Sequence, residues 1–436
     1  MTKVYKYPTK NKESKQYSLN KTSMEIKEDI VIIGAGLAGL TTSLALHRLG
    51  LRSIVLESAD SLRVTGFALS LWKNGFGALD AIGVGDILRE RSFQMHGFLI
   101  ASGDSFIPFG DLSFGATDNS QLEARCVRRK DLLEVLEKEL PQGTIRYSSK
   151  VVLITETGQL KSVHLADGSV IRAKALIGCD GINSMVAKRL GLQKPVDSGR
   201  AAIRGFVQFP EEHGILPNFY LYFENGVRFG FLPCDATSVY WFCTFSPTSD
   251  RDYEDMEQDP LKMKQFVLSK TENAPKQLSD IVQRTELQFI SSARLKLRLP
   301  WNTLLGDIAK NNICVAGDAF HPMTPDIGQG GGSALEDGIV LARCLGQALL
   351  PKSNGYVGGE NDESYGYDDI EKGLMNYVKQ RRWRSFSLIS TAYLVGVAQQ
   401  SEGKIMNFLK KLFLTKYSTS KMRDMADFDC GKLEIS

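Results

Sequence analysis

Residues 28–58, "EDIVIIGAGLAGLTTSLALHRLGLRSIVLES", limit the fold more tightly than any other stretch. Ile30–Ile33 is a short apolar run suited to a buried strand. Gly34, Gly36 and Gly39 follow in G-x-G-x-x-G spacing, and Leu40, Leu44, Leu46 and Leu49 then recur as in a helix that Gly50 closes. "RSIVLE" reads as a second strand ending in Glu57. This is a βαβ unit, whose crossover helix demands a mainly parallel, covered sheet. The three glycines meet three different steric demands. Gly34 permits a tight turn, Gly36 admits a pyrophosphate to the backbone, and Gly39 lets helix and strand pack closely. The helix N-terminus offers free N–H groups to an anion. Glu57 is placed to accept ribose hydroxyls, and an acid there disfavours a phosphorylated ribose. Gly34, Ala35, Gly36, Ala38, Gly39 and Glu57 therefore read as an adenine-dinucleotide site, with NAD and FAD both open.

Two later stretches narrow that choice. "AKALIGCDGINSMVAKRLG" holds a short strand (Ala175–Ile177), then Asp180–Gly181, then a helix. In "NICVAGDAFHPMTPDIGQGGGSALEDG" an apolar run (Ile313–Ala316) stops at Gly317–Asp318, and Gly328–Gln329–Gly330–Gly331–Gly332 leads into a helix start. An acid at a strand tip, followed by backbone almost bare of side chains, suits something bulky and charged lying against the chain. The glycine fingerprint occurs once. NAD bound there would not require the later stretch, whereas the isoalloxazine end of FAD would have to be held elsewhere.

These three motifs, in this order, resemble the flavin-dependent aromatic hydroxylases of the para-hydroxybenzoate hydroxylase type, the group A flavoprotein monooxygenases. The resemblance covers most of residues 29–345. It implies an α/β fold: a Rossmann-like, three-layer FAD-binding domain on a parallel sheet, an inserted mixed or antiparallel β-sheet substrate domain, and C-terminal helices. It places Gly34, Ala35, Gly36, Ala38 and Gly39 at the pyrophosphate and Glu57 at the adenosine ribose. Arg129, in "RRKDLLEVL", falls at a position that contacts FAD, and Asp180–Gly181 at a motif tied to both FAD and NAD(P)H. Asp318, after Gly317, would accept from the ribityl hydroxyls. Backbone around Pro325, Gly328, Gln329, Gly330 and Gly331 would lie against the flavin ring. N–H groups at the start of a helix from Ser333 would stabilise the charge of reduced flavin. Relatives often carry Asn or Cys where this chain has Gly332. "AGDAFHPMTPDIGQGGG" and "DFDCGKL" look most like the plant salicylate-hydroxylase-like branch, more distantly related to zeaxanthin epoxidases.

The activity so implied is monooxygenation. NADH or NADPH, a transient co-substrate, reduces FAD, and O2 adds to give a C4a-hydroperoxide that hydroxylates an electron-rich small molecule such as a phenolic acid. The cofactor carries the chemistry, so no catalytic side chain is named. Epoxidation or other oxygenation of an isoprenoid or specialised metabolite is the alternative within the family. Outside it stand a flavin-binding scaffold without turnover and a plain reductase. No G-x-S-x-G elbow supports a hydrolase, and the W-x-W-x-I-P signature of related halogenases is absent.

The expected organisation is a disordered, lysine-rich tail over 1–28, a discontinuous FAD-binding domain over 29–200 and 300–350, and a substrate domain over 201–299. A flexible acidic, glycine-rich loop over 351–372 and C-terminal helices over 373–436 complete it. Met24 offers an alternative start. "AAIRGFVQF", "NFYLYF", "VRFGFL" and "VYWFCTF" read as antiparallel strands, with Asn225-Gly226 as a hairpin turn. Most of their aromatics are assigned to core. Arg204 and Arg228 are candidates to grip a substrate carboxylate, against the alternative of structural pairing. His321 is read as structural, and Glu336 and Asp337 as acids suited to a helix N-terminus. The seven scattered cysteines contain no C-x-x-C pair, indicating neither a disulfide framework nor a zinc site, and point to a reducing, intracellular, cytoplasmic setting. A net charge of +3 gives no reason to expect nucleic acid. No run is long and apolar enough for a transmembrane helix. The amphipathic stretch 403–422 is assigned to packing on the catalytic domain in preference to membrane contact.

Overall fold

The computed structural model describes residues 25–63, 66–102, 105–113, 122–224, 226–350, 365–400 and 423–433. Its first sheet is built on β1 (Glu25–Ile33), which lies between β2 (Ile54–Leu56) and β10 (Val170–Gly178) in parallel register. On the far side of β10 comes β17 (Ile313–Val315), also parallel. β7 (Ile145–Arg146) extends the edge beyond β2, and β16 (Ala309–Lys310) closes the other edge against β17. A hairpin of β8 (Val151–Thr157) and β9 (Leu160–Leu165) pairs with the first half of β10. β1 begins at Glu25, not at the apolar Ile30, because β10 already runs from Val170 and offers partners to the polar Glu25–Glu28 backbone. Residues 25–28 thus belong to the sheet and not to the tail.

α1 (Leu37–Arg48) and α10 (Gly330–Leu349) pack on this sheet with α4 (Arg129–Lys138) and the short α5 (Met185–Arg189). The apolar runs seen in the sequence are buried on both faces, as a covered parallel sheet requires: Val31, Leu176, Ile177 and Val315 are fully enclosed.

The second sheet has seven strands. β11 (Val196–Gln208), β12 (Phe219–Glu224), β13 (Val227–Pro233), β14 (Ser238–Phe245) and β15 (Ile290–Leu297) form its antiparallel body. β4 (Gly97–Ser102) joins β12 in parallel and carries β5 (Ser105–Ser113) at the edge, so the sheet also draws on residues well before 201. Period-two alternation splits its aromatics by face. Phe229, Phe231, Trp241 and Cys243 are fully buried in the core shared with α6 (Asp250–Glu257), α7 (Pro260–Lys270) and α8 (Lys276–Arg284). Arg204, Phe206, Phe223, Arg228, Tyr240 and Phe242 are half-buried on the other face.

That face looks toward a two-stranded ribbon of β3 (Ala68–Trp72) and β6 (Ala124–Arg128), which links the two sheets. Phe67 stacks on Phe206 with centroids 6.2 Å apart, and Trp72 on Phe219 at 5.6 Å. α2 (Lys73–Ala81) and α3 (Gly85–Glu90) follow β3, and α9 (Pro300–Leu305) precedes β16. α11 (Tyr365–Gln400) is a 36-residue helix packed on α10. It begins at Tyr365, inside the stretch expected to be loop. The expectations for 1–24, 351–364 and 401–422 lie outside the described residues. Among those described, no helix is long and apolar enough to cross a membrane.

Candidate functional site

The C-terminal ends of β1, β10 and β17 meet at one crevice, the usual ligand position in an open α/β sheet. The glycine turn forms one wall. Gly34 has φ +103°, and a Cβ on Gly39 would sit 2.0 Å from the Gly34 carbonyl, so the helix is pressed onto the turn. In front of Gly36 nothing lies within 4 Å of where a Cβ would be. Gly36 caps α1 without any side-chain bond, and the first turn of α1 holds no acid. Its N–H groups are left for an anion. Glu57, at the tip of β2, is buried, and its carboxylate accepts from the N–H groups of Ala35 (3.0 Å) and Ala59 (2.9 Å) and from Arg63 (2.8 Å). Burial pushes its pKa up, but these bonds together outweigh it and hold the group below the ordinary value.

Beyond β10, Asp180 accepts from the Met185 N–H at 2.7 Å, while its other oxygen is buried without a partner. Burial raises its pKa against the pull of Ser184 and the backbone N–H groups. Beyond β17, Asp318 presents an exposed carboxylate that makes no hydrogen bond among the described residues. The protein mass around it pushes that carboxyl up, with His321, Arg129 and Arg204 close enough to pull it down. Arg129 is half-buried with its Nε unpartnered, and burial lowers its pKa. Arg204, on the aromatic face of the second sheet, makes no hydrogen bond or ion pair among the described residues.

Pro325–Ile327 form a single 3-10 turn, Gly328 follows at φ +62°, and α10 starts at Gly330, ahead of the Ser333 read from the sequence. The glycines let the helix turn begin earlier, leaving only Met323, at 3.9 Å, near a Cβ on Gly330. Asp326 anchors this loop from behind: Arg200 binds it through two bonds (2.9 and 2.6 Å), and Arg228 approaches at 3.3 Å. Arg228, a candidate substrate anchor from sequence, therefore has its charge engaged by Asp326. A Cβ on Gly332 would lie 3.0 Å from Asn74 Nδ2, so a carboxamide from α2 packs directly against this glycine.

Behind α10 lies a charged cluster that sequence reasoning missed. Arg381 of α11 is fully buried and bonds Asp337 and Glu336, each at 2.6 Å; Arg384 bonds Glu336 at 2.8 Å. Asn74 Nδ2 bridges Gln329 (2.8 Å) and Glu336 (2.5 Å). Glu336 and Asp337 are thus buried ion-pair partners, and because α10 starts at Gly330 they fall beyond the first turn in which the sequence reading places them. Asp337 also accepts from the Gly317 N–H at 2.7 Å, which fixes the turn carrying Asp318. His321 is fully buried with Nε2 2.6 Å from Asp337, and Ser333 Oγ approaches the same nitrogen at 3.4 Å. A nucleophile–base relay needs the acid and the hydroxyl on opposite ring nitrogens, so this His–Asp–Ser contact is structural. Only "KQRRWR" hinted at the cluster, and no spacing rule pairs those arginines with acids of another helix.

Three features of the crevice fit an extended FAD: the open N–H groups at Gly36, the free Asp318 carboxylate, and the open backbone at Gly330, the first residue of α10. The sequence pattern of the family described as "FAD binding domain" matches residues 27–352. Monooxygenase 2 of Arabidopsis thaliana is 47% identical over 93% of this chain and 98% of its own length. The crystal structure of Klebsiella pneumoniae HpxO complexed with FAD and uric acid superimposes with TM-score 0.75 at 20% identity, covering 92% of this chain and 96% of that one. A salicylate hydroxylase substrate complex does so with TM-score 0.66 at 19% identity, over 92% and 98%. The chain belongs to the FAD-binding-domain family and is an FAD-dependent monooxygenase.

Proposed function

We propose that this monooxygenase consumes NADH or NADPH and hydroxylates an electron-rich aromatic acid, with Arg204 holding the acid group. Gly34, Ala35, Gly36, Ala38 and Gly39, with the α1 N-terminus, hold the pyrophosphate, and Glu57 the adenosine ribose. Arg129, Asp180, Gly181, Gly317 and Asp318 hold the middle of the cofactor. Pro325, Gly328, Gln329, Gly330 and Gly331 present backbone to its ring. When bound and reduced, FAD supplies the activation of O2. The protein positions the substrate, excludes water and sets charge around the ring through the N–H groups of α10.

The observation that carries the substrate class is Arg204: a guanidinium without an ion-pair partner among the described residues, beside Phe206, Tyr240 and Phe242 on the face turned to Asp318. Flat apolar walls suit an aromatic ring, and a planar cation binds a carboxylate through two bonds. Burial raises the pKa of Tyr240, so its phenol stays protonated as a neutral hydrogen-bonding group. The uric acid and salicylate named with the solved structures are planar and acidic, in keeping with this reading.

The test is anaerobic mixing of the flavoprotein with NADH or NADPH, with and without salicylate and related phenolic acids, followed by air and product analysis. Flavin reduction should accelerate with one acid, and air should then yield hydroxylated product. Arg204→Gln should keep FAD and raise KM for the acid ten-fold or more, about 1.5 kcal/mol or above for a charge-assisted bond. Equal rates for phenols lacking the acid group, unchanged in the variant, would sink the assignment.

A further inference from the structure

The two faces of α11 differ in kind. One packs Leu388, Ala392 and Val395 against Ile327 and Met425 and sends Arg381 inward. The other exposes large apolar side chains at helical spacing: Met375 is 49% exposed, Trp383 64%, Tyr393 41% and Leu394 58%. α9 continues the stripe with Trp301 at 62% and Leu305 at 82%. Phe386 joins the two elements, 6.1 Å from Trp301 and 5.6 Å from Trp383 between ring centroids. A single exposed leucine needs no account, but a continuous apolar stripe along two packed elements marks an interaction surface.

Charge selects the partner. From Leu374 to Val397 the sequence carries Lys379, Arg381, Arg382 and Arg384 and no carboxylate. Arg381 and Arg384 turn inward to Glu336 and Asp337, Arg382 donates to the Gly306 carbonyl, and Lys379 stays exposed. The sequence over 401–422 keeps the bias, with five lysines against Glu402 alone. A two-fold pairing with a second copy would set the exposed Lys379 of one copy against that of the other, and Asp307, the acid beside α9, is already engaged by Lys310 at 3.6 Å and by the charge of Arg382. Exposed indoles beside Lys379 instead match an interface between water and anionic lipid, where the rings sit at headgroup depth and the amine meets negative charge.

We propose that the α9–α11 face docks on an anionic lipid surface, with Trp301, Trp383, Leu305 and Leu394 entering the headgroup region and Lys379 facing the lipid charge. Docking there sets the opposite side of α11, which braces the Asp326–Ile327 loop, one helix diameter from the lipid.

The four tryptophans make this measurable: Trp72 and Trp241 are buried, Trp301 and Trp383 are exposed. The full FAD-loaded chain is mixed with vesicles of phosphatidylcholine alone or phosphatidylcholine with phosphatidylserine. Co-sedimentation and acrylamide quenching of tryptophan emission are read at low and high salt. The expected result is binding to the serine-containing vesicles, shielding of the exposed indoles, and weakening by salt. Trp383→Ser with Leu394→Ser should cut binding ten-fold or more with flavin content unchanged, and Lys379→Glu should weaken it on anionic vesicles only. The proposal is overturned if the chain does not bind vesicles, or if the double variant binds as the parent does. It is equally overturned if light scattering finds a dimer that the same substitutions dissolve.

Discussion

Replacing Arg381 with Met tests whether the buried cluster behind α10 holds that helix in place. The guanidinium makes four bonds: to Asp337 and Glu336 at 2.6 Å each, and to the Ser333 carbonyl and hydroxyl at 3.1 and 3.0 Å. Met fills most of the volume but leaves two buried carboxylates short of a cation. Breaking a buried pair from one side costs about 3–5 kcal/mol. Arg384 still reaches Glu336 and His321 still reaches Asp337, so the lower end, about 3 kcal/mol, applies. At about 2.1 cal/mol/K per residue over roughly 400 residues, that lowers the melting midpoint by about 4 °C. The acid side adds a second signature. In the parent, burial pushes the Asp337 carboxyl up, but His321 and Arg381 bring it down from 3.8 to about 2. A depressed carboxylate stabilises the fold fully above its unfolded pKa and loses that contribution as pH falls through the folded value, here between about 4 and 2, about 2 kcal/mol in all. The variant loses much of this depression, so the gap in melting midpoint should stay nearly constant from neutrality to about pH 4 and narrow as pH drops from about 4 toward 2. Calorimetry of FAD-loaded protein across that range reads both effects. A midpoint within about 1 °C of the parent, with the same acid profile, would refute the view that Arg381 neutralises this pair.

Two further outcomes follow from the site and the core. Asp318→Ala removes the free carboxylate of the crevice, and flavin retention should fall by about 10- to 100-fold in Kd, from the loss of about 1.5–3 kcal/mol of charge-assisted bonding; unchanged flavin absorbance after gel filtration would argue against that role. All seven cysteines are buried, and burial or a neighbouring thiol raises the pKa of several, including Cys126, Cys179 and Cys314. A thiol-reactive chromophore should therefore modify few groups in the native chain and all seven after denaturation, and rapid native modification would contradict the packing.

What the sequence revealed, and what it hid, follows from how each residue acts. Gly34, Gly36 and Gly39 act through their own backbone within a few residues, so spacing alone exposes them. Strands β11 to β14 of the second sheet declared themselves by alternation, and Trp241 and Phe229 fell on the buried face as core residues should. Asn74 and Arg381 act through partners hundreds of residues or a whole helix away, and nothing local to either marks the meeting. β4 is a similar case: it is not read from the sequence, and only the assembled sheet shows that Phe98 pairs beside Phe219. Arg204 and Arg228 looked alike in sequence. Asp326 separates them, leaving one occupied and the other open to the crevice.

The order of the first sheet also has a consequence for synthesis. β10 is complete at Gly178, but its neighbour β17 begins at Ile313, with the whole antiparallel body of the second sheet translated in between. At about 5–20 residues per second, those ~135 residues take roughly 7–27 s to emerge. Throughout that time the edge of Leu176–Gly178 is an open apolar strand margin on the ribosome, of the kind that recruits a foreign strand. The nascent chain therefore depends on holding that margin shielded until β17 arrives, and a pause in translation shortly before Ile313 lengthens the exposure.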